Sequence, residues 1–208
     1  MQKRNILIGF TGSVASRRDK GLIDSFLETD RFNIKIIFSS SAVHFSEILK
    51  EEDARSAKEY KGCQIILDED EWKWQTMGDP VLHIDLKNWA EIFLIAPLSA
   101  NTLAKIANGF CDSTITLILR AWKFDQGKIV NPIVVCPAMN TNMYLHPITE
   151  KQLSVLESWG FKIVPPIEKM LACKEVGLGA MEEVPNIIKI VTGLTFPGEN
   201  RSSNHSVL

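Results

Sequence analysis

EIFLIAPLSANTLAKIANG, residues 91–109, decides the fold. Ile92 to Ala96 is a short apolar run that reads as a buried strand, and Pro97, which cannot donate to a sheet ladder, ends it. Ser99, Ala100, Asn101 and Thr102 then put polar groups at the start of a stretch with helical spacing, where the helix dipole favours anions. The same strand-then-helix unit recurs. ILIGF near the N-terminus, FNIKIIF at 32–38, PIVVCP at 132–137 and FKIVPP at 161–166 are short, mostly β-branched runs closed by Gly, Ser or Pro. LIDSFLETD, SAVHFSEILKEED, the segment from Thr102 into ITLILRAW, and ITEKQLSVLESWG carry helical spacing between them. This alternation predicts an α/β fold, a doubly wound (Rossmann-like, flavodoxin-like) parallel sheet with helices on both faces.

A single domain over residues 1–195 accounts for all of these elements. Residues 50–63 read as a solvated connection and residues 123–131 as a surface loop. The stretch FPGENRSSNHSVL, residues 196–208, lacks periodicity and is expected to be disordered. With 45% hydrophobic and 23% charged residues, the composition is that of a globular chain with one substantial core. The formal net charge of -2 supplies no basic field for nucleic acid or anionic membrane, so small-molecule or protein partners are favoured. Cys63, Cys111, Cys136 and Cys173 are widely spread without a CxxC pair, which argues against a zinc site or a disulfide framework and for a reducing compartment. No run approaches the ~20 apolar residues of a membrane span, and the apolar run after Lys3 and Arg4 is too short for a signal peptide. The expected location is cytoplasmic.

Three strand ends converge on one rim of the sheet, the side on which open α/β sheets bind ligands. The first ends in GFTGSVAS (9–16), a Gly and Ser turn able to offer N–H groups and a hydroxyl to phosphate, without a GxGxxG or Walker A pattern. The second ends in FSSSAVHF (38–45), where Ser39 or a neighbour also suits a helix cap, and the third is the Ser99–Thr102 turn. CPAMNTNMY (136–144) adds Asn140, a neutral amide suited to a carboxylate or a flavin edge, with Met139 and Met143 as contacts or core filler. His83, between Leu82 and Ile84, reads either as a structural histidine or as a catalytic one. Cys173 lies in EKMLACKEVGLGAM, a glycine-bearing segment expected to be neither helix nor strand, and reads as a lid thiol or as an idle one.

DPVLHIDLKNWAEIFLIAPLSANTLAKIANGFCD, PAMNTNMYLHP and LACKEVGLGAM, in that order, closely resemble the homo-oligomeric flavin-containing cysteine decarboxylases, over roughly residues 5 to 192. The resemblance implies FMN as cofactor. It places Gly12, Ser13 and Val14, Ser39 and Ser41, Ser99 to Thr102, and Ala138 around the flavin. It makes His83 the catalytic histidine, Asn140 the substrate-binding asparagine, Met143 a methionine near the substrate, and Cys173 the proton donor. It also implies a homotrimer with active sites at subunit interfaces. In this chemistry FMN accepts a hydride from the sulfur-bearing carbon of a cysteine-derived thiol, so that carbon dioxide leaves an otherwise unstabilised carbanion position, and later returns it. Two stretches depart from the family pattern: Arg17, Arg18 and Lys20 at a helix start, expected to be a solvated and partly frayed turn, and Lys174 and Glu175 in place of Gly-Asp. The alternatives are a non-catalytic relative acting through protein–protein binding, and a prenyl-transferring flavoprotein.

Overall fold

The computed structural model describes residues 2–170 and 176–195. β1 (Arg4–Phe10) leads through a 3-10 turn (Val14–Arg18) into α1 (Asp19–Glu28), and β2 (Phe32–Phe38) leads into α2 (Ser40–Val43). A second 3-10 turn (Ile48–Lys50), α3 (Glu52–Ala57) and β3 (Glu59–Tyr60) precede β4 (Cys63–Leu67), a third 3-10 segment (Asp68–Lys73) and α4 (Leu82–Trp89). β5 (Ile92–Leu98) is followed by α5 (Ala100–Asn108), α6 (Thr114–Arg120), a hairpin of β6 (Phe124–Asp125) and β7 (Lys128–Ile129), and β8 (Ile133–Pro137). Then come α7 (Thr141–Tyr144), α8 (Pro147–Ser158), β9 (Lys162–Ile163), β10 (Ile167–Met170), β11 (Val176–Ala180) and α9 (Val184–Thr192).

Seven strands form the main sheet in the order β3-β4-β2-β1-β5-β8-β9. Every neighbouring pair is parallel except β3 with β4. The chain runs outward from β1 to β2 and β4, then returns to lay β5 against the other side of β1. That reversal opens a crevice beyond the carboxyl ends of β1 and β5, the switch point at which such sheets take ligands. The doubly wound α/β architecture expected from the alternation is the one the chain adopts.

β5 throughout, and β1 from Ile6 to Phe10, are unbroken runs of buried non-polar residues because helices cover both sheet faces. On one face Ile6, Ile8 and Phe10 pack with Leu22 and Phe26 of α1 and Ile187 of α9. On the other, Leu7, Phe93 and Ile95 pack with Leu103 of α5, Ile115 of α6 and Leu156 of α8. Each such side chain contributes about 1.5–3 kcal/mol on full burial. The two-sided core therefore fixes where the strand ends, and the loops after them, must lie.

Several local expectations are corrected. Residues 50–63 are mostly exposed, as expected, but are not a plain connection: they hold α3 and β3 and enter β4, with Tyr60 and Cys63 buried and the Tyr60 hydroxyl donating to Asp24 at 3.0 Å. The helix expected over SAVHFSEILKEED breaks into short pieces because the buried Asp19 carboxylate accepts from the Ser46 hydroxyl and from the amides of Glu47 and Ile48. Those bonds compete with helical ones. Burial raises the Asp19 carboxyl above its ordinary range, against the opposing pull of its hydrogen bonds from Ser46, Lys20, Ile48 and Glu47. Residues 123–131 form the β6–β7 hairpin, its turn made by Gln126 and Gly127 with φ of 46° and 78°. EKMLACKEVGLGAM supplies the antiparallel pair β10–β11. The basic first turn is ion-paired rather than frayed: Arg17 meets Glu47, Arg18 meets Glu183 and Lys20 meets Glu51.

Candidate active site

The loops at the carboxyl ends of the strands are tied into one rim. Thr11, fully buried, donates its hydroxyl to the Pro97 carbonyl at 2.8 Å and accepts from the Ser99 amide at 2.8 Å. At Gly12 any Cβ would lie 2.5 Å from the Ser41 Cβ, so only glycine lets the β1 and β2 loops meet. The Ala138 amide donates to Leu98 O, and the Met139 amide to Gly179 O, each at 3.0 Å. A continuous set of contacts thus joins the turns after β1, β2, β5 and β8 to strand β11.

Capping explains much of the hydroxyl and amide chemistry at this rim. Ser13 accepts from the Ala15 amide at 3.4 Å, Ser39 from the Ala42 amide at 3.3 Å and Ser99 from the Thr102 amide at 3.3 Å. Ser99 also donates to the Thr102 hydroxyl at 3.1 Å, and both residues are buried. Asn140 Oδ1 accepts from the Asn142 amide at 2.9 Å, which fixes the side chain at the start of α7. Ser41 and Asn101 are exposed, while Gly12, Ser13, Ser39 and Ala100 are half-buried.

Between the β1 and β8 turns lies a cavity of about 520 Å³, lined by Ser13, Val14, Ala138, Met139 and Asn140, with Arg18 and Lys169 at its edge. Arg18 and Lys169 share Glu183, whose carboxyl they hold below the usual range, Lys169 more strongly than Arg18. Burial pushes the Cys136 thiol far above its ordinary range, so the cysteine preceding PAMN is packing material and not a nucleophile. Met143 is half exposed and stands outside the cavity wall, as do Ser39, Ser41 and the Ser99–Thr102 turn.

His83 is the second residue of α4. Its Nδ1 lies 2.5 Å from Glu71 Oε1, and the two side chains are 20% and 6% exposed. His83 is not among the described residues that wall the Asn140 cavity. Cys173, with Lys174 and Glu175, lies outside the described residues. Sequence reasoning passed over Thr11 and Glu71. Thr11 differs from the neighbouring hydroxyls only in its long-range partners, and Glu71 is hidden in the acidic run DEDE.

The residues present suit a planar cofactor that carries a phosphate. The close Gly12–Ser41 approach and the helix starts behind Ser13, Ser39 and Ser99 offer small groups and backbone amides to an anion. The apolar wall of Val14, Ala138 and Met139 offers a flat surface to a ring. A parallel sheet with this rim at its switch point is the architecture of a flavin-binding α/β protein, and the chain belongs to the Flavoprotein family, whose model matches residues 1–196.

Its relatives are more particular. Phosphopantothenoylcysteine decarboxylase of Mus musculus is 38% identical over 188 residues, covering 90% of this chain and 85% of that protein. The probable phosphopantothenoylcysteine decarboxylase of Arabidopsis thaliana is 42% identical over 201 residues, covering 96% and 92%. Among solved structures, a cysteine-to-serine mutant of PPC decarboxylase complexed with pantothenoylaminoethenethiol matches with a TM-score of 0.82 at 39% identity, covering 92% of this chain and 97% of that one. The FMN-binding protein AtHal3 matches with a TM-score of 0.78 at 40% identity, covering 92% and 96%. Among the described residues no helix is long and apolar enough to cross a membrane.

Proposed function

We propose that this chain catalyses the FMN-dependent decarboxylation of 4'-phosphopantothenoylcysteine to 4'-phosphopantetheine, a step of coenzyme A biosynthesis. The observation that carries the reading is Asn140. It lines an apolar cavity beside the β1 turn, in a chain 38% and 42% identical to relatives that bear the decarboxylase name.

Gly12, Ser13 and Val14, Ser39 and Ser41, Ser99, Ala100, Asn101 and Thr102, and Ala138 would hold FMN. Bound there, the flavin supplies a reversible two-electron sink at the sulfur-bearing carbon, which makes loss of the carboxylate feasible with no net oxidation. Asn140 orients the substrate carboxylate without exchanging a proton with it. Met143 lies near the substrate. His83 acts as general base or electrostatic support for the first step, and Cys173 delivers the proton that completes the product. The working form is a homotrimer with sites at its interfaces, as the resemblance to the flavin-containing cysteine decarboxylases implies. The four dispersed cysteines suit a reducing compartment, and the cytoplasm is the place we assign.

The test is carbon dioxide release and 4'-phosphopantetheine formation by purified protein without added nicotinamide cofactor, with flavin absorbance followed in the same cuvette. A colourless protein that takes up no FMN on reconstitution removes the cofactor, and a yellow protein that leaves the substrate intact removes the activity.

A further inference from the structure

Four consecutive acids, Asp68 to Glu71, follow β4. Three have plain structural work. Asp68 accepts from the Ser40 amide and hydroxyl and from the Thr114 amide, Glu69 meets Lys58, and Asp70 accepts from the Leu67 amide and pairs with Lys58 and Lys73. Glu71 turns inward. Its side chain is 6% exposed, one oxygen meets His83 Nδ1 at 2.5 Å, and the other, Oε2, is buried with no hydrogen-bond partner among the described residues.

We propose that Glu71 is a positioning residue for the decarboxylation: it accepts the Nδ1–H of His83 and so holds the imidazole in the tautomer whose Nε2 is unprotonated and available to substrate. The inference rests on the reading that His83 serves this reaction. Burying a carboxylate costs several kcal/mol unless its oxygens are satisfied, and here one of the two is not. The bond to His83 is the one side-chain hydrogen bond that the described residues give this carboxylate. It acts on the ring: a neutral imidazole has one donor and one acceptor nitrogen, and the partner at Nδ1 selects which is which. Asp68 and Asp70 pin the segment just before Glu71, and the Asp70–Lys73 pair closes over it from the other side, so the carboxylate is held against the start of α4. An imidazole bonded at Nδ1 also cannot swing about its side-chain axis without breaking that bond.

The experiment is a double-mutant cycle on the FMN-loaded protein, using Glu71→Gln, His83→Asn and the pair, with 4'-phosphopantothenoylcysteine as substrate. Glu71→Gln should lower kcat about 10- to 100-fold, by analogy with removal of the outer partner that orients a metal-binding histidine, with KM, flavin content and melting temperature little changed. In the His83→Asn background the same substitution should cost nothing further. Nitrogen-15 histidine spectra should show His83 protonated at Nδ1 in the native protein and protonated wholly or partly at Nε2 in Glu71→Gln. Additive losses, an unchanged kcat, or an unchanged tautomer would overturn the inference. Should Glu71→Gln not fold, Glu71→Asp, which withdraws the charge by one methylene, carries the same test: a lowered kcat with an intact fold supports the role and a native kcat overturns it. Native protein without decarboxylase activity would remove the functional reading and this inference with it. Additive losses in an active enzyme remove this inference alone.

Discussion

Gly179→Ala should pull strand β11 away from the turn that carries Asn140. Gly179 has a φ of 150°, and a Cβ built on it would stand 2.2 Å from the Met139 carbonyl oxygen. Carbon–oxygen contacts are ordinarily no closer than about 3.3 Å, so the two backbones must separate by about 1 Å. The 3.0 Å hydrogen bond from the Met139 amide to Gly179 O does not survive such a shift. That bond is worth about 1 kcal/mol, and the unfavourable backbone conformation adds about 1–3 kcal/mol. A loss of about 2–4 kcal/mol lowers the melting temperature of a domain this size by roughly 4–16 °C. The catalytic loss should be larger. A displacement of about 1 Å in a group that positions the substrate costs on the order of 100-fold in rate. Flavin content should fall less than activity, because the turns after β1, β2 and β5 are untouched and only the Ala138–Met139 side of the flavin set moves. Decarboxylation kinetics, flavin absorbance and thermal melting on one preparation would read all three. Native kcat together with a melting point within about 1 °C of the parent would refute the claim that β11 holds the Asn140 turn in place.

Other perturbations follow from the same contacts. Gly12→Val should separate the β1 and β2 loops, since even a Cβ there falls 2.5 Å from Ser41, and the purified protein should lose most of its flavin-to-protein absorbance ratio; a fully yellow protein would contradict this. Burial acts to raise the Asp70 carboxyl, but hydrogen bonds from Lys58, Lys73 and the Leu67 amide outweigh it and hold the group below its usual range. Its contribution is thus present above the unfolded-state value near 3.9 and lost as pH falls through the lower folded value, so the melting-point gap between native protein and Asp70→Asn should be constant at about pH 5–8 and close in stronger acid. A gap independent of pH down to about 2 would exclude that origin. Cys173→Ser should still release carbon dioxide yet stall at an oxidised enethiol with the flavin left reduced; normal 4'-phosphopantetheine from this variant would assign the proton to another group.

Much of the fold was legible because its causes are local. ILIGF, the IIF that ends FNIKIIF, the IFLIAP of EIFLIAP and PIVVCP are apolar on both faces and end at or beside Gly, Ser or Pro, and a strand with both faces covered can be written in few other ways. β3, β4 and the β6–β7 and β10–β11 pairs were not read. CQIIL is short and has the exposed Gln64 in it, and β10 and β11 gain strand character only by pairing with each other. The candidate site divides in the same way. The hydroxyl and amide residues of the rim, the PAMN turn and His83 could be picked out from motif and resemblance, and the expectation that Ser39 could cap a helix holds. Neither the ion pairs that tame Arg17, Arg18 and Lys20 nor the carboxylate behind His83 could be.

By itself, then, the order of residues determined the central buried strands and several of the helices between them, that they alternate, and which loops bear polar groups at the strand ends. Only the folded chain decided how those loops meet. Thr11 reaches Pro97 across 86 positions and Arg18 reaches Glu183 across 165. The physical reason is that strand and helix patterns are set by neighbours a few residues away, whereas a rim contact exists only after burial of both sheet faces has fixed the order of the strands and brought distant ends together.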